Sequence, residues 1–378
     1  MSPRSLPASW GGGARLVLDP AAHDPFGLLE RFLAGHGFAV SPGVEPAGDG
    51  RVADLFLGYG LAVGLAGVRE PQPPEPCPLP LLWCRVRGAV GEPQRTAGAC
   101  KVGAWRRTWQ PARYVAAVGS VRAAIARGDV YQVNLVQHLS APFSGDPAAV
   151  AAALAGIAGE YARAVHEPAW SVISATPELF LETRGRRVRT MPIKGTRPAG
   201  AGPPIAASDK DLAEHVMIVD LERNDLGRVC VPGSVAVTRF LRERPMTGVR
   251  HLVSTVEGTL AADVGLAALL AATFPGGSIT GAPKIAAIDH IARLEPVGRG
   301  ASMGALGTVA ANGDLDLGLT IRTFAIAAGR IHLWVGGGIV WDSDPAAEVE
   351  ESLVKARPLL ARLASGSPSA GSDPLTSA

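Results

Sequence analysis

The sequence predicts a layered α+β fold rather than a doubly wound parallel sheet, on three observations. Segments with strand character outnumber those with helical period. Several strands come as hairpins: Leu179–Glu182 and Arg187–Met191 flank the turn Arg184-Gly185-Arg186, and residues 305–326 fold about Asn312-Gly313-Asp314. The composition, 47% hydrophobic and 19% charged over 378 residues, allows a large core in one or two domains.

The elements follow in order. Residues 1–104 are rich in Gly and Pro, with short apolar strands at Arg15–Leu18, Val52–Leu57 and Leu79–Val86. Phe26, Leu28, Leu29 and Phe32 recur at helical spacing within Pro25–Gly35. Glu70–Pro80 reads as an extended polyproline-like connector. Residues 110–127 repeat apolar groups at the helical period up to Gly128-Asp129, and Val130–Leu139 follows as a strand. An Ala-rich helix covers Pro147–Gly156. Ser208-x-x-Asp211 caps a helix over 208–226, with Leu212, Val216 and Val219 on one stripe. Val249–Leu260 and Ile331–Val340 are further strands. Asp344 as N-cap and Pro345 at the first helical position open a last helix to Ala364. Ser365–Ala378 has the composition of a disordered tail, and no internal repeat is present.

Composition also excludes classes. A net charge of +2 with no basic stripe gives no electrostatic case for nucleic acid. No run approaches the roughly 18 apolar residues of a spanning helix, so no membrane role is expected. The first residues lack the apolar core of a signal peptide, which points to the cytoplasm. Cys77, Cys84, Cys100 and Cys230 have no metal-ligand spacing and read as reduced structural thiols.

Several residues carry candidate chemistry. Lys194, in Pro192-Ile193-Lys194-Gly195-Thr196, sits beside a glycine whose backbone can approach a ligand closely. An isolated lysine is usually a solvated surface group; a desolvated one is a nucleophile. Glu214 on one helix, and Glu348 and Glu351 one turn apart on another, are candidate Mg²⁺ ligands. On residues alone, Glu351 and Lys355 at i,i+4 read first as a surface ion pair. Gly276–Lys284 lacks the P-loop spacing but offers clustered backbone N–H groups, and Gly336-Gly337-Gly338 does something similar. Arg322 within an apolar strand, Leu319–Ile326, needs either an internal partner or a carboxylate ligand.

In this order the motifs resemble those of the chorismate-utilising enzymes, which include component I of anthranilate synthase, component I of aminodeoxychorismate synthase, and the isochorismate and salicylate synthases. The matching strings are Gly128–Leu135, Ser174–Phe180, Pro192–Thr196, Glu214–Asp225, His251–Ser254, Gly276–Lys284, Ile321-Arg322 and Gly336–Asp344 leading to Glu351 and Lys355. They cover roughly residues 105–360; residues 1–104 match weakly, around Phe56–Gly60. The resemblance implies two large, mainly antiparallel sheets packed as a sandwich, with helices outside and the active site in a cleft. On this reading 1–104 is a β-rich part of the same sandwich, 105–364 the chorismate-binding catalytic region, and 365–378 a disordered tail.

The resemblance also implies roles. Glu214 and Glu351 would hold Mg²⁺ against the ring carboxylate of chorismate, which Gly195 and Thr196 would also contact. Arg322 and backbone at Gly336 would hold the enolpyruvyl carboxylate, and Lys355 would neutralise charge. Glu178 would protonate the departing C4 hydroxyl, and His251 would lie over the enolpyruvyl side. Gln132 and Thr280 would line the substrate pocket. Members that add water carry a lysine where this chain has Gln132. Members that aminate C4 carry a lysine at position 194, which forms a covalent bond to C2 before ammonia enters. The chain therefore resembles aminodeoxychorismate synthase component I, on the route to 4-aminobenzoate and folate. No glutaminase domain with its cysteine nucleophile is recognisable, so ammonia would come from a separate glutaminase subunit. The alternatives are anthranilate synthase component I and a catalytically silent chorismate-binding subunit. The second is motivated by Thr308, where relatives carry a tyrosine expected beside Arg322, and by the divergent N-terminal third.

Overall fold

In a computed structural model, residues 13–19, 22–41, 50–64, 67–88, 97–198, 209–246 and 249–364 are described. The Thr196 side chain, the Ser208 cap and the tail 365–378 lie outside the described residues. The first half of the chain supplies β1 (Arg15–Leu18), α1 (Pro25–Gly35), β2 (Val52–Leu57), β3 (Leu82–Arg87), β4 (Cys100–Val102), β5 (Arg106–Arg107), α2 (Pro111–Ala126), β6 (Gln132–Gly145), α3 (Ala148–Leu154), β7 (Arg163–Glu167) and β8 (Trp170–Ser174). The second supplies β9 (Leu179–Arg184), β10 (Arg187–Met191), β11 (Ile193–Pro198), α4 (Asp209–Gly227), β12 (Ala236–Met246), β13 (Val249–Thr259), α5 (Leu266–Thr273), β14 (Gly281–Ala282), α6 (Lys284–Leu294), β15 (Ala305–Ala310), β16 (Leu315–Leu319), β17 (Thr323–Ala327), β18 (Arg330–Ile339) and α7 (Pro345–Ala364).

The strands form two sheets, every pairing antiparallel. A 10-stranded sheet runs β1-β3-β2-β15-β16-β9-β10-β13-β11, with β12 also on β13. An 8-stranded sheet runs β14-β6-β18-β17-β8-β7, with β4 and β5 on β6. The first three strands thus pair into the same sheet as β15 and β16. One apolar core takes side chains from both sheets, among them Leu55, Leu181 and Val188 from the first and Leu135, Val172 and Trp334 from the second. Trp170 of β8 packs on Phe56 and Trp83, with ring centroids 6.0 and 5.7 Å apart. Such aromatic pairs reach across the layers and fix their spacing.

Most elements follow from local signals. Asp344 Oδ1 accepts from Ala347 N at 2.8 Å, the cap expected of an Asp before Pro. The polar residues His138, Ser140 and Ser144 obscure the end of β6, which runs to Gly145 because it pairs with β18 as far as Pro142 and with β4 beyond it. α5 shows no polar face in sequence, since it is packed between α1 and α4. Position 322 differs from expectation: β16 ends at Leu319, and Arg322 lies in the crossover to β17 with φ at 51°. The apolar run masks this break because both flanking strands are buried, one in each sheet. No helix among the described residues is long and apolar enough to cross a membrane.

A buried ion pair braces the cleft end. Arg299 and Glu295 are 1% and 2% exposed, with Nη2 and Oε1 2.7 Å apart. Arg299 also donates to the carbonyls of Ile279 and Asn134 at 2.9 and 2.8 Å, tying the glycine-rich loop to β6. Arg299→Ala would leave Glu295 buried without its cation, at a cost of about 3–5 kcal/mol. Denaturant unfolding of the purified variant checks this; a loss below about 1 kcal/mol would contradict it.

Candidate active site

Lys194 is on strand β11, opposite Leu252 of β13. The register shifts between Lys194 and Thr196, so Gly195 is the extra residue of a bulge, with φ at 63°. A bulge re-aims the flanking side chains, and only glycine takes that φ without cost. This places the lysine in a strand next to a bulge.

Ser278 joins Lys194 to Glu178. Lys194 Nζ donates to the Ser278 carbonyl at 3.0 Å, while the Ser278 hydroxyl donates to Glu178 Oε1 at 2.6 Å. The amide of Ile193 reaches the same carboxylate oxygen at 3.4 Å. Glu178 is 4% exposed. Burial raises its pKa to about 7, against the opposing pull of the Ser278 hydrogen bond and of Lys194. Burial lowers the pKa of Lys194, while Glu214 and Glu178 oppose the shift. Both groups are therefore driven toward their neutral forms, a carboxylic acid beside an amine. Sequence reasoning named the glycine-rich loop but not Ser278, because its role depends on a contact 84 residues from Lys194 and 100 from Glu178.

His251 and Arg322 meet above the bulge. Arg322 Nη2 donates to His251 Nε2 at 3.0 Å, and His251 Nδ1 lies 3.2 Å from the Gly195 carbonyl. A guanidinium only donates and a carbonyl only accepts, so the imidazole is neutral with its hydrogen on Nδ1. Burial and the adjacent Arg322 hold its pKa at about 4. The crossover position of Arg322 makes this meeting possible.

On the other side, Lys355 Nζ bridges Glu351 Oε1 and the Gly336 carbonyl, both at 2.9 Å. The pair is exposed, yet it is anchored to β18 rather than loose on a helix. A Cβ on Gly337 would meet Lys355 Nζ at 3.3 Å and both Glu348 Oε2 and Glu351 Oε1 at 3.5 Å. The missing side chain thus leaves a space bordered by two carboxylates. Glu348 is 5% exposed in the first turn of α7. Glu214, on α4, is close enough to Lys194 to stabilise its charge. Among the described residues no three His, Cys, Asp or Glu side chains form a ready-made metal cage. Carboxylate oxygens without nitrogen or sulfur, too few to complete a shell, suit Mg²⁺, which keeps waters and substrate oxygens as ligands.

Gln132 is fully buried, and neither polar atom of its amide has a partner. It packs on Gly338, where a Cβ would collide with the amide nitrogen. Thr280 turns its hydroxyl to the carbonyls of Gly276 and Gly277 at 3.0 and 3.3 Å, bracing its own loop. Thr308 corrects an expectation. Its neighbours across the ladder are Asp54 and Asp316, in the middle of β15. Arg322 lies beyond the far end of that hairpin, where Met303 N meets Thr320 O. Five strand residues separate Thr308 from that end, on the order of 16 Å. Position 308 is not beside Arg322, and that motive for a silent subunit falls with it.

The chain is 41% identical over 271 residues to aminodeoxychorismate synthase component 1 of Klebsiella aerogenes, covering 69% of this chain and 60% of that protein. It is 40% identical over 274 residues to anthranilate synthase component 1 of Streptomyces coelicolor, covering 68% of this chain and 52% of that protein. The chain thus spans little more than half the length of these curated relatives. The fold resembles the crystal structure of anthranilate synthase component I from Streptococcus pneumoniae TIGR4, with a TM-score of 0.78, 24% identity, and 95% of this chain and 94% of that one covered. A family model described as chorismate binding enzyme matches residues 82–361, and the chain belongs to that family.

Proposed function

We propose that the chain replaces the C4 hydroxyl of chorismate with an amine, giving 4-amino-4-deoxychorismate, as component I of an aminodeoxychorismate synthase. The observation that carries the reading is Lys194, desolvated and joined through Ser278 to a buried Glu178 whose pKa burial raises to about 7. A neutral amine attacks C2 as Glu178 gives its proton to the departing C4 oxygen, so water leaves instead of hydroxide. Ammonia then attacks C4 and expels the lysine from C2. The sum is chorismate plus ammonia to amine plus water. Gln132, in place of a basic lysine, leaves no group there to activate water.

Arg322, oriented by His251, is the carboxylate-binding group, with Gly195 and Gly336 offering backbone close to the substrate. Glu214 and Glu351, with Glu348 beside Glu351, would hold Mg²⁺. When bound, it would supply positive charge for the ring carboxylate. Ammonia would come from a separate glutaminase subunit, and the product would serve 4-aminobenzoate and folate synthesis in the cytoplasm. A second reading, anthranilate synthase component I, is favoured by a relative of that name at 40% identity.

Mass spectrometry and chromatography of the product formed from chorismate, Mg²⁺ and ammonium salt separate the two. Aminodeoxychorismate is expected; anthranilate as sole product would overturn the reading. Removing Mg²⁺ with a chelator should abolish turnover, and adding it back should restore it.

A further inference from the structure

The two helices that carry Glu214 and Glu351 are each tied to a different sheet by a buried polar contact. On α4, His215 directly follows Glu214 and is fully buried. Its Nε2 lies 2.6 Å from the Ser254 hydroxyl of β13. Ser254, also fully buried, is a junction: its hydroxyl accepts from Leu241 N of β12 at 3.0 Å, and its amide donates to the Pro192 carbonyl at 3.3 Å. Pro192 stands two residues before Lys194, so one residue of β13 joins the helix of Glu214 to the start of the lysine strand. Leu241 is held there with φ at 53°, at a break in the β12 register. A leucine keeps that conformation only where its surroundings impose it.

On α7 the contact comes from the other sheet. Gln137 of β6, fully buried, donates through Nε2 to Ser352 Oγ and, at 3.4 Å, to the Val349 carbonyl. Ser352 follows Glu351 and is one turn from Glu348. β13 belongs to the 10-stranded sheet and β6 to the 8-stranded one. Glu214 is thus registered against the first sheet and Glu351 against the second. Packing alone does not call for these contacts. Among the described residues, His215 Nδ1 and Gln137 Oε1 are buried with no hydrogen-bond partner, a cost that Phe or Leu would avoid. What a hydrogen bond adds is direction: it fixes a helix's rotation and its height along the strand, which apolar contacts leave looser.

We propose that His215 and Gln137 are positioning residues that set the gap between Glu214 and Glu351, and with it the affinity of the site for Mg²⁺. This rests on the metal site proposed above. Both residues act through a neighbouring carboxylate rather than on the ion. Mg²⁺ accepts little departure from octahedral oxygen geometry, so a small slide or turn of either helix weakens the site. Groups that hold metal ligands from behind typically account for about 10–100-fold in affinity.

The test is calorimetric titration of Mg²⁺ into the chelator-stripped full chain, with chorismate present and ammonia withheld so that no turnover contributes. His215→Phe and Gln137→Leu fill the space without the polar contact. Each should raise the Mg²⁺ Kd about 10–100-fold, with Tm within about 4 °C of wild type. The double variant should lose the product of the two factors, since the contacts lie in separate sheets. His215→Gln, whose amide nitrogen spans the same reach to Ser254, should recover most of the affinity. Once ammonium salt is added, saturating Mg²⁺ should return kcat of the single variants to within about threefold of wild type. Wild-type Mg²⁺ affinity in both single variants would overturn the positioning role alone. So would a loss that comes with a larger drop in Tm and is not recovered by His215→Gln. Absence of Mg²⁺ binding by the wild type would overturn the metal site itself, and the positioning role with it.

Discussion

Lys194→Ala is expected to abolish C4 amination, lowering kcat at least about 10²-fold while the chorismate KM changes little. The side chain is the only amine joined to Glu178 through Ser278 among the described residues, and alanine cannot form the bond to C2. Substrate contacts from Arg322 and the carboxylate helices remain, so binding should persist. The folded state should tolerate the change. Burial lowers the lysine pKa, so charging it opposes folding. The native form holds fewer protons than the unfolded chain between the lowered value and the ordinary lysine range. Wild-type stability therefore rises with pH across that window and falls as pH drops through it, a dependence the alanine variant lacks. Product analysis and denaturant unfolding together decide: full ammonia-dependent turnover by Lys194→Ala would remove the covalent step from the mechanism.

Glu178→Gln should reduce kcat by about 10²–10⁴-fold, the range for losing a positioned general acid. Glutamine keeps the shape and can still accept the Ser278 hydroxyl, so only the transferable proton is lost. In the wild type, kcat should fall on the basic side with an apparent pKa near 7, as Glu178 ionises. The variant's residual rate should lack that limb. Stability carries an independent sign. The folded pKa of about 7 lies above the ordinary value of 4.5. The contribution of Glu178 to folding is fully present below 4.5 and is lost as pH rises through about 7. A Gln side chain stays neutral, so the variant should not show this decline. Unchanged kcat in Glu178→Gln would show that another group protonates the departing oxygen.

Sequence reasoning reached particular residues unevenly. Glu178, Lys194, Glu214, His251 and Arg322 were all identifiable because each sits in a short string of distinctive neighbours. Arg322 was given the wrong local structure, since an apolar run continues across the break between two sheets. Thr308 was assigned to the pocket by the family resemblance alone, whereas register sets it against Asp54 and Asp316. Ser278 lay within a matching string but was not singled out, because a serine in a glycine-rich loop reads as a turn.

By itself the sequence determined the α+β class, the starts of helices such as Pro345–Ala364, and the identity of the groups proposed to act on chorismate. These are local properties: caps, turns and periodicities act over a few residues, and side-chain chemistry is intrinsic. The tertiary structure decided which groups share water-free surroundings and which meet. Desolvation drives an ordinary lysine and glutamate toward their neutral forms, while long-range hydrogen bonds through Ser278 hold the two together. Both depend on how β11, the segment before β9 and the Gly276–Ser278 loop converge, which no local run of residues specifies.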